Sequence, residues 1–158
     1  MLTSSPHELA DLLKGSSLIH RTGIWLLPVN MLGKEPDQAA RLNLDAVDIR
    51  TALLGGLPEG TRVLRLSGDK VLQLLGTICE SPKGSNCLLV YNVDLLLARL
   101  PMQARSYVWN QLYSSFPHRK HALLIAMPEG ANQLLPPPAA LKSWNSDKRL
   151  ATTNSIDL

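Results

Sequence analysis

Cysteine is scarce in this chain, whose 158 residues include only Cys79 and Cys87. Two cysteines are too few for a disulfide framework, and they do not have the spacing of a metal motif. We expect both thiols to be reduced and buried. A chain of this length buries about 70% of its unfolded surface, so it needs no disulfide or metal to fold. The sequence therefore predicts one domain over residues 1–158.

Long apolar runs and strong net charge are also lacking. No stretch reaches the roughly 20 apolar residues that span a membrane, and the acidic N-terminal segment does not resemble a signal peptide. We therefore expect a cytoplasmic protein without a membrane span. The net charge of +3 permits a nucleic-acid partner, but strong binders usually show a concentrated basic face. With 45% apolar and 18% charged residues, the composition excludes a disordered chain.

What the chain does contain is an alternation of short apolar runs with helical patterns. Strands are predicted at 23–29, 61–67, 86–93, 121–127 and, as an edge strand, 148–153; helices are predicted at 4–15, 44–57, 68–81 and 101–116. Three of these strands have no polar face, which is expected when helices cover both sides of a parallel sheet. The sequence therefore predicts an α/β fold: a mostly parallel sheet of about five strands with helices on both faces.

The loop after the first strand, "VNMLGKEPDQ", is the candidate phosphate-binding segment, because ligands of parallel sheets bind beyond the carboxyl ends of strands. Gly33 and Lys34 match the end of a P-loop motif. However, Glu35 stands where Ser or Thr would reach magnesium, and Pro28 stands where the first glycine is needed. A carboxylate at this point would repel phosphates. We expect a polar connecting loop, with Gly33 and Lys34 as remnants of a nucleotide site.

A second candidate lies after the apolar strand "LLVYNVD". An acid that holds the magnesium shell would directly follow this strand, but Tyr91 or Asn92 occupies that position and Asp94 follows two or three residues later. Two interpretations are open. Asn92 and Asp94 are either remnants of a nucleotide site or caps of the next segment, "LLLARL".

These segments together carry a resemblance to known families. "VN…LG" after a strand, "LLVYNVDLLLARLP", a helix and "ALLIAMPEG" resemble parts of RecA/AAA-like P-loop NTPases. More narrowly, residues 27–130 are similar to the small P-loop protein of BREX phage-defence systems. The opening helix and "GIWLL" are similar to the pseudo-NTPase domain of the bacterial cellulose-secretion regulator. Both resemblances imply a P-loop-like fold without catalytic residues and without a cofactor, which holds protein partners together.

Basic and histidine residues cluster in "FPHRKH". His118 and His121 have a spacing that could bind a metal on a helix, but Pro117 and the following strand favour a solvated basic loop. Arg119 and Lys120 form a basic patch that could contact phosphates. Further basic residues that could join it are Lys14 and Arg21.

Large aromatic side chains are few and are candidates for an interface, because exposed Trp and Tyr are typical anchors of protein contacts. The candidates are Trp25, Tyr107, Trp109 and Trp144. Tyr107 and Trp109 are two residues apart and cannot share one helix face. The alternative is that these rings complete the core of a chain with a single Phe.

Three functions are compatible with these patterns. The first is a non-enzymatic scaffold or regulatory subunit, acting as a homo- or hetero-oligomer through protein partners. The second is a residual ATPase of a phage-defence or DNA-processing complex that uses Gly33, Lys34 and Asp94. The third is a nucleic-acid-binding accessory protein that uses Arg119 and Lys120. The sequence favours the first.

Overall fold

The computed structural model describes residues 3–15, 21–55, 65–80, 86–116 and 121–153. The strands are β1 (Thr22–Leu27), β2 (Asp45–Asp48), β3 (Cys87–Tyr91), β4 (Ala122–Pro128) and β5 (Leu150–Thr152). The helices are α1 (Pro6–Lys14), α2 (Glu35–Arg41), α3 (Ile49–Gly55), α4 (Gly68–Cys79), α5 (Val93–Leu97), α6 (Met102–Asn110) and α7 (Pro138–Ser146). A 3₁₀ turn (Val29–Met31) follows β1, and a π-helical segment (Gln111–Ser115) extends α6.

The five strands form one sheet in the order β2-β3-β4-β1-β5, and all of their pairings are parallel. Successive residues alternate between two apolar cores: Ile24 packs on one side and Trp25 on the other. Helices α1 and α2 contribute to the core on the Trp25 side, and α3 to α7 contribute to the core on the Ile24 side. The predicted α/β architecture, with helices on both faces, is confirmed.

The β5 edge of the sheet is extended by the residues that precede α1. Ser4 forms a parallel bridge with Ala151. Its N–H donates to the Leu150 carbonyl at 3.3 Å, and the Thr152 N–H donates to the Ser4 carbonyl at 3.2 Å. The hydroxyls of Thr3 and Thr152 are also hydrogen-bonded to each other. Both ends of the described chain therefore meet at one edge of the sheet.

Two predicted elements differ from the structure. The helix predicted over 44–57 is wrong in its first part, because Asp45–Asp48 forms β2 and the helix begins only at Ile49. A strand of four residues is too short for its own alternation to show, and Ala46 happens to continue the helical spacing of α3. The strand predicted at 61–67 lies mostly outside the described residues, and its described part, 65–67, is not a strand.

Local capping explains where two of the predicted helices begin. The Ser5 hydroxyl accepts a hydrogen bond from the Glu8 N–H at 3.1 Å, and the Ser67 hydroxyl accepts from the Lys70 N–H at 3.2 Å. In both cases the serine satisfies one of the N–H groups that lack a helical partner. Ser67 therefore acts as the N-cap of α4.

A buried arginine joins β1 to the helices on the Ile24 side. Arg149 is only 3% exposed, and its guanidinium donates to the carbonyls of Thr22 (2.7 Å), Tyr113 (2.9 Å) and Leu112 (3.1 Å). The guanidinium carbon lies 4.9 Å from the centre of the Tyr113 ring and 4.3 Å from that of Trp144. Burial lowers the pKa of Arg149 to about 10, so the group stays charged at neutral pH. It thus caps the end of the π segment, where carbonyls lack helical donors.

Cys79 and Cys87 are buried and form no disulfide with each other, in agreement with the expectation from the sequence. Burial raises the pKa of the Cys87 thiol to about 12, which keeps it protonated and unreactive. Among the helices that the structure describes, none is both long and apolar enough to cross a membrane.

Candidate functional site

The strand order places a topological switch point at the carboxyl ends of β4 and β1. From β1 the chain turns toward β2 through α2, on the Trp25 side, whereas from β4 it turns toward β5 through α7, on the Ile24 side. The chain thus leaves two neighbouring strands in opposite directions, which is the place where open parallel sheets bind ligands. The loops at this carboxyl edge are residues 28–34, 48–50, 91–94 and 128–131.

The loop after β1 is closed by its own glutamate. Gly33 has φ +84°, a conformation that glycine adopts without strain. Its N–H donates to both carboxylate oxygens of Glu35, at 2.6 Å to Oε1 and 3.2 Å to Oε2. Glu35 is only 6% exposed, whereas Lys34 is exposed. A phosphate-binding loop offers such an N–H to an anion, but here the protein's own anion occupies it.

An ion pair follows β2 and reaches the end of β3. The Asp48 carboxylate accepts from the Arg50 backbone N–H at 2.9 Å and from its Nη2 at 3.1 Å. Asn92, whose φ is +65°, also hydrogen-bonds to Asp48 through its side chain. Burial acts to raise the pKa of Asp48, but the hydrogen bonds from Arg50 and Asn92 outweigh it, so the pKa lies below its usual value. The Asn92 side chain therefore joins the end of β3 to the loop that follows β2.

Tyr91 and Asp94 complete a mainly acidic cluster at this edge. Burial raises the pKa of Tyr91, and the negative charges of Asp48 and Glu35 raise it further. Burial also raises the pKa of Asp94, which the Arg50 charge and backbone N–H groups only partly oppose. The carboxylates of Asp48 and Asp94 thus lie near Arg50, and that of Glu35 lies near Tyr91. This electrostatic setting disfavours a triphosphate.

The two interpretations of Asn92 and Asp94 can now be compared with the geometry. Asn92 stands at the N-cap position of α5, but its side chain forms no capping hydrogen bond; its contribution is the left-handed backbone. Asp94 lies in the first turn, where its carboxylate interacts with the N–H of Leu95. Of the two residues, Asp94 is therefore the one whose side chain contacts the first turn of α5. The Asn92 side chain instead contacts Asp48 in the loop after β2, which the sequence did not predict.

The prediction of an interface role is wrong for three of the four aromatic candidates, because their side chains are buried. Trp25, Trp109 and Trp144 are at most 2% exposed, because they complete the two cores of the sheet. Trp109 and Trp144 stack edge-to-face with centroids 6.2 Å apart. Tyr107 is 42% exposed, and its hydroxyl donates to Asp69 at 2.9 Å. Only Tyr107 is accessible to a partner.

The structure does not test the predicted basic patch at Arg119 and Lys120, and it gives Lys14 and Arg21 other contacts. Arg119 and Lys120 lie outside the described residues. Lys14 donates from Nζ to the Leu42 carbonyl at 2.7 Å, and Arg21 donates to the Leu13 carbonyl at 3.1 Å. Lys14 thus connects the end of α1 to the end of α2, and Arg21 connects the start of β1 to α1.

Metal binding finds no support within the described ranges, where no group of three or more His, Cys, Asp or Glu could hold an ion. His121 is 4% exposed and its backbone N–H donates to the Cys79 carbonyl at 3.1 Å. Its proposed partner, His118, lies outside the described residues.

Comparison of the chain with family models, with curated proteins and with solved structures gave no match. The carboxyl edge must therefore be interpreted from its own geometry. Sequence reasoning missed Asp48 and Arg50, because their segment was assigned to a helix. The signal that could have identified them is an acid at the end of a short Ala-Val run, followed two residues later by a base.

Proposed function

We propose that this chain is a non-enzymatic scaffold or regulatory subunit, built on a degenerate P-loop-like domain, which acts through protein partners. The observation that carries the proposal is the hydrogen bond from the Gly33 N–H to the Glu35 carboxylate at 2.6 Å. A phosphate at this loop would have to displace a buried carboxylate from its donor. Without a phosphate cradle, phosphoryl transfer has nothing to position the reacting group.

The acidic character of the edge supports the same conclusion. Magnesium would need a carboxylate directed at a bound phosphate, but Asp48 is paired with Arg50, and Asp94 lies beside the backbone of α5. Glu35 and the other two carboxylates would repel the phosphates themselves. A residual ATPase is therefore the weaker proposal.

Exposed apolar side chains on the same loop support a protein partner. Val29 is 78% exposed and Leu32 is 41% exposed, and both lie between β1 and the closed turn at Gly33. Apolar groups at the centre of a contact stabilise protein association. The nucleic-acid alternative gains less support, since Lys14 and Arg21 bind backbone carbonyls.

The first test is nucleotide binding. We expect no saturable binding of a fluorescent ATP analogue with magnesium up to millimolar concentration, because Glu35 occupies the Gly33 donor. Lys34→Ala and the exposed control Lys142→Ala should behave like the wild type. Micromolar binding that is lost in Lys34→Ala but retained in Lys142→Ala would instead establish the residual nucleotide site.

The second test addresses the partner surface. We expect light scattering to show a homo-oligomer, or co-purification from the native host to yield a stoichiometric protein. Changing Val29 and Leu32 together to Asp should abolish that association and leave the melting temperature unchanged, because both side chains are exposed. Met102→Asp is the matched control, since Met102 is 70% exposed on α6. A monomer without any stoichiometric partner would contradict the scaffold proposal.

A further inference from the structure

A small cavity lies on the Trp25 side of the sheet, between the start of α1 and helix α2. Its volume is about 260 Å³. The apolar part of its lining comes from Pro6, Trp25, Met31 and Leu42, of which the last three are at most 5% exposed. Ligand pockets are typically concave and mainly apolar with a few polar groups, and those for drug-sized molecules hold roughly 300–1,000 Å³. The size here fits a smaller molecule.

A buried amide faces this cavity. The Gln38 side chain lines it, and Gln38 is only 9% exposed. Its backbone N–H donates to the Lys34 carbonyl within α2, but its side-chain amide forms no hydrogen bond with any residue that the structure describes. Amides at such depth are normally hydrogen-bonded to protein, water or a ligand. The amide atoms of Gln38 are not fully enclosed, so water or a ligand in the cavity can reach them. Gln38 thus supplies a donor and an acceptor inside an otherwise apolar floor.

The rim of the cavity carries the positive charge of Arg41. Arg41 and His7 line it and are both exposed. The Arg41 guanidinium makes no ion pair or hydrogen bond with the described residues, and none of the described lining residues is acidic. The two hydroxyls of the lining already have partners: the Ser5 hydroxyl accepts from Glu8, and the Thr153 hydroxyl accepts from the Trp25 Nε1 at 2.8 Å. The groups available to a ligand are therefore a guanidinium, an imidazole, the Gln38 amide and the O–H donors of the two hydroxyls.

A larger depression beside β5 is less suited to a ligand. It holds about 690 Å³, but it is widely open, and among the described residues that line it only Leu12 is apolar. Glu8, Asp11 and Lys148 line it as well, so its charges are mixed. Without a buried polar group directed into it, this depression does not define a ligand.

We propose that the cavity between α1 and α2 binds a small organic anion, whose apolar body lies on Trp25 and whose anionic group pairs with Arg41. The Gln38 amide then hydrogen-bonds to the ligand's polar group. A guanidinium and an anion form charge-assisted hydrogen bonds, which are among the strongest in proteins. The cavity shares no residue with the Gly33–Glu35 turn or the Asp48 cluster, so this binding goes beyond the scaffold role and can be tested separately.

The test is a titration of the full chain, followed by the indole N–H signals in ¹H–¹⁵N NMR spectra. Benzoate is the probe, with benzyl alcohol as its neutral analogue and inorganic phosphate as an anion without an apolar body. Trp109 and Trp144 lie in the opposite core and serve as internal controls. We expect benzoate to shift the Trp25 signal saturably and to leave the other two unchanged. The Trp25→Phe variant assigns the signal.

Two variants and a control test the assigned contacts. Arg41→Met and Gln38→Leu should each weaken benzoate binding by roughly tenfold or more, as expected for the loss of one charge-assisted or buried hydrogen bond. Arg41 is exposed, so its variant should fold normally. Arg65→Met, at an exposed site elsewhere, should bind benzoate like the wild type.

Each of three results would overturn the proposal. If no probe shifts the Trp25 signal at millimolar concentration, the cavity contains only water. If benzyl alcohol binds as well as benzoate and Arg41→Met has no effect, the cavity is merely apolar. If phosphate competes equally with benzoate, the site recognises a bare anion.

Discussion

Replacing Arg149 by Met is expected to lower the free energy of unfolding by about 3 kcal/mol, since buried polar groups left unsatisfied cost roughly 1–3 kcal/mol each. Methionine keeps an unbranched stem but has no donor for the carbonyls of Thr22, Leu112 and Tyr113. The positive charge at the end of the π segment, which interacts favourably with the helix dipole, is also lost. Urea unfolding at pH 7 measures the change.

Two further variants make the Arg149 result specific. Arg149→Lys should lose less stability than Arg149→Met, because an ammonium keeps the charge but cannot reproduce the planar fork of donors. Arg65→Met should stay within about 0.5 kcal/mol of the wild type, as is usual for surface substitutions. An unfolding midpoint that does not move in Arg149→Met would show that the three carbonyls find other partners.

Replacing Trp144 by Ala is expected to cost about 4 kcal/mol, which lies within the range for removing a buried Trp or Phe. Trp144 is 1% exposed, and its ring contacts Trp109 edge-to-face and Tyr113 at a centroid distance of 5.2 Å. Its loss leaves a cavity between α6 and α7, and it also removes one of the two rings beside the Arg149 guanidinium. Calorimetric or denaturant unfolding checks the value.

A matched control for Trp144 is Met102→Ala, at a side chain that is 70% exposed, for which little change is expected. The double variant with Arg149→Met should be destabilised by less than the sum of the single changes, because residues in contact are not independent. Strict additivity, or a loss below about 1 kcal/mol for Trp144→Ala, would contradict the packing described for this cluster.

The parts of the fold that could be predicted are those whose residues are buried on both faces. The runs that became β1, β3 and β4 are continuous and apolar, and no other element accounts for such short stretches between helices. β5 was also predicted, as an edge strand, from "KRLATT". β2 was missed because Ala46 and Val47 are only partly buried and its neighbours share the spacing of α3.

The candidate site was less predictable than the fold. Local sequence indicated that Glu35 was incompatible with a phosphate loop, but the sequence could not show that its side chain turns back onto the Gly33 N–H. The pairing of Asn92 with Asp48 joins two strands that are far apart in the chain. The exposure of aromatic rings was likewise undecidable, because burial depends on which helices cover them: Trp109 is enclosed, whereas Tyr107, two residues earlier, is not.

The meeting of Thr3 and Ser4 with β5 has a mechanical consequence. Tension applied through the two ends of the described chain would act first on the Ser4–β5 junction, where two backbone hydrogen bonds join the ends. Because Ser4 and Ala151 run parallel, such a load would shear these bonds together instead of opening them one after the other. The central pairing of β1 with β4 would bear load only after this junction had broken. The force needed to shear the junction would therefore set the mechanical resistance of the fold.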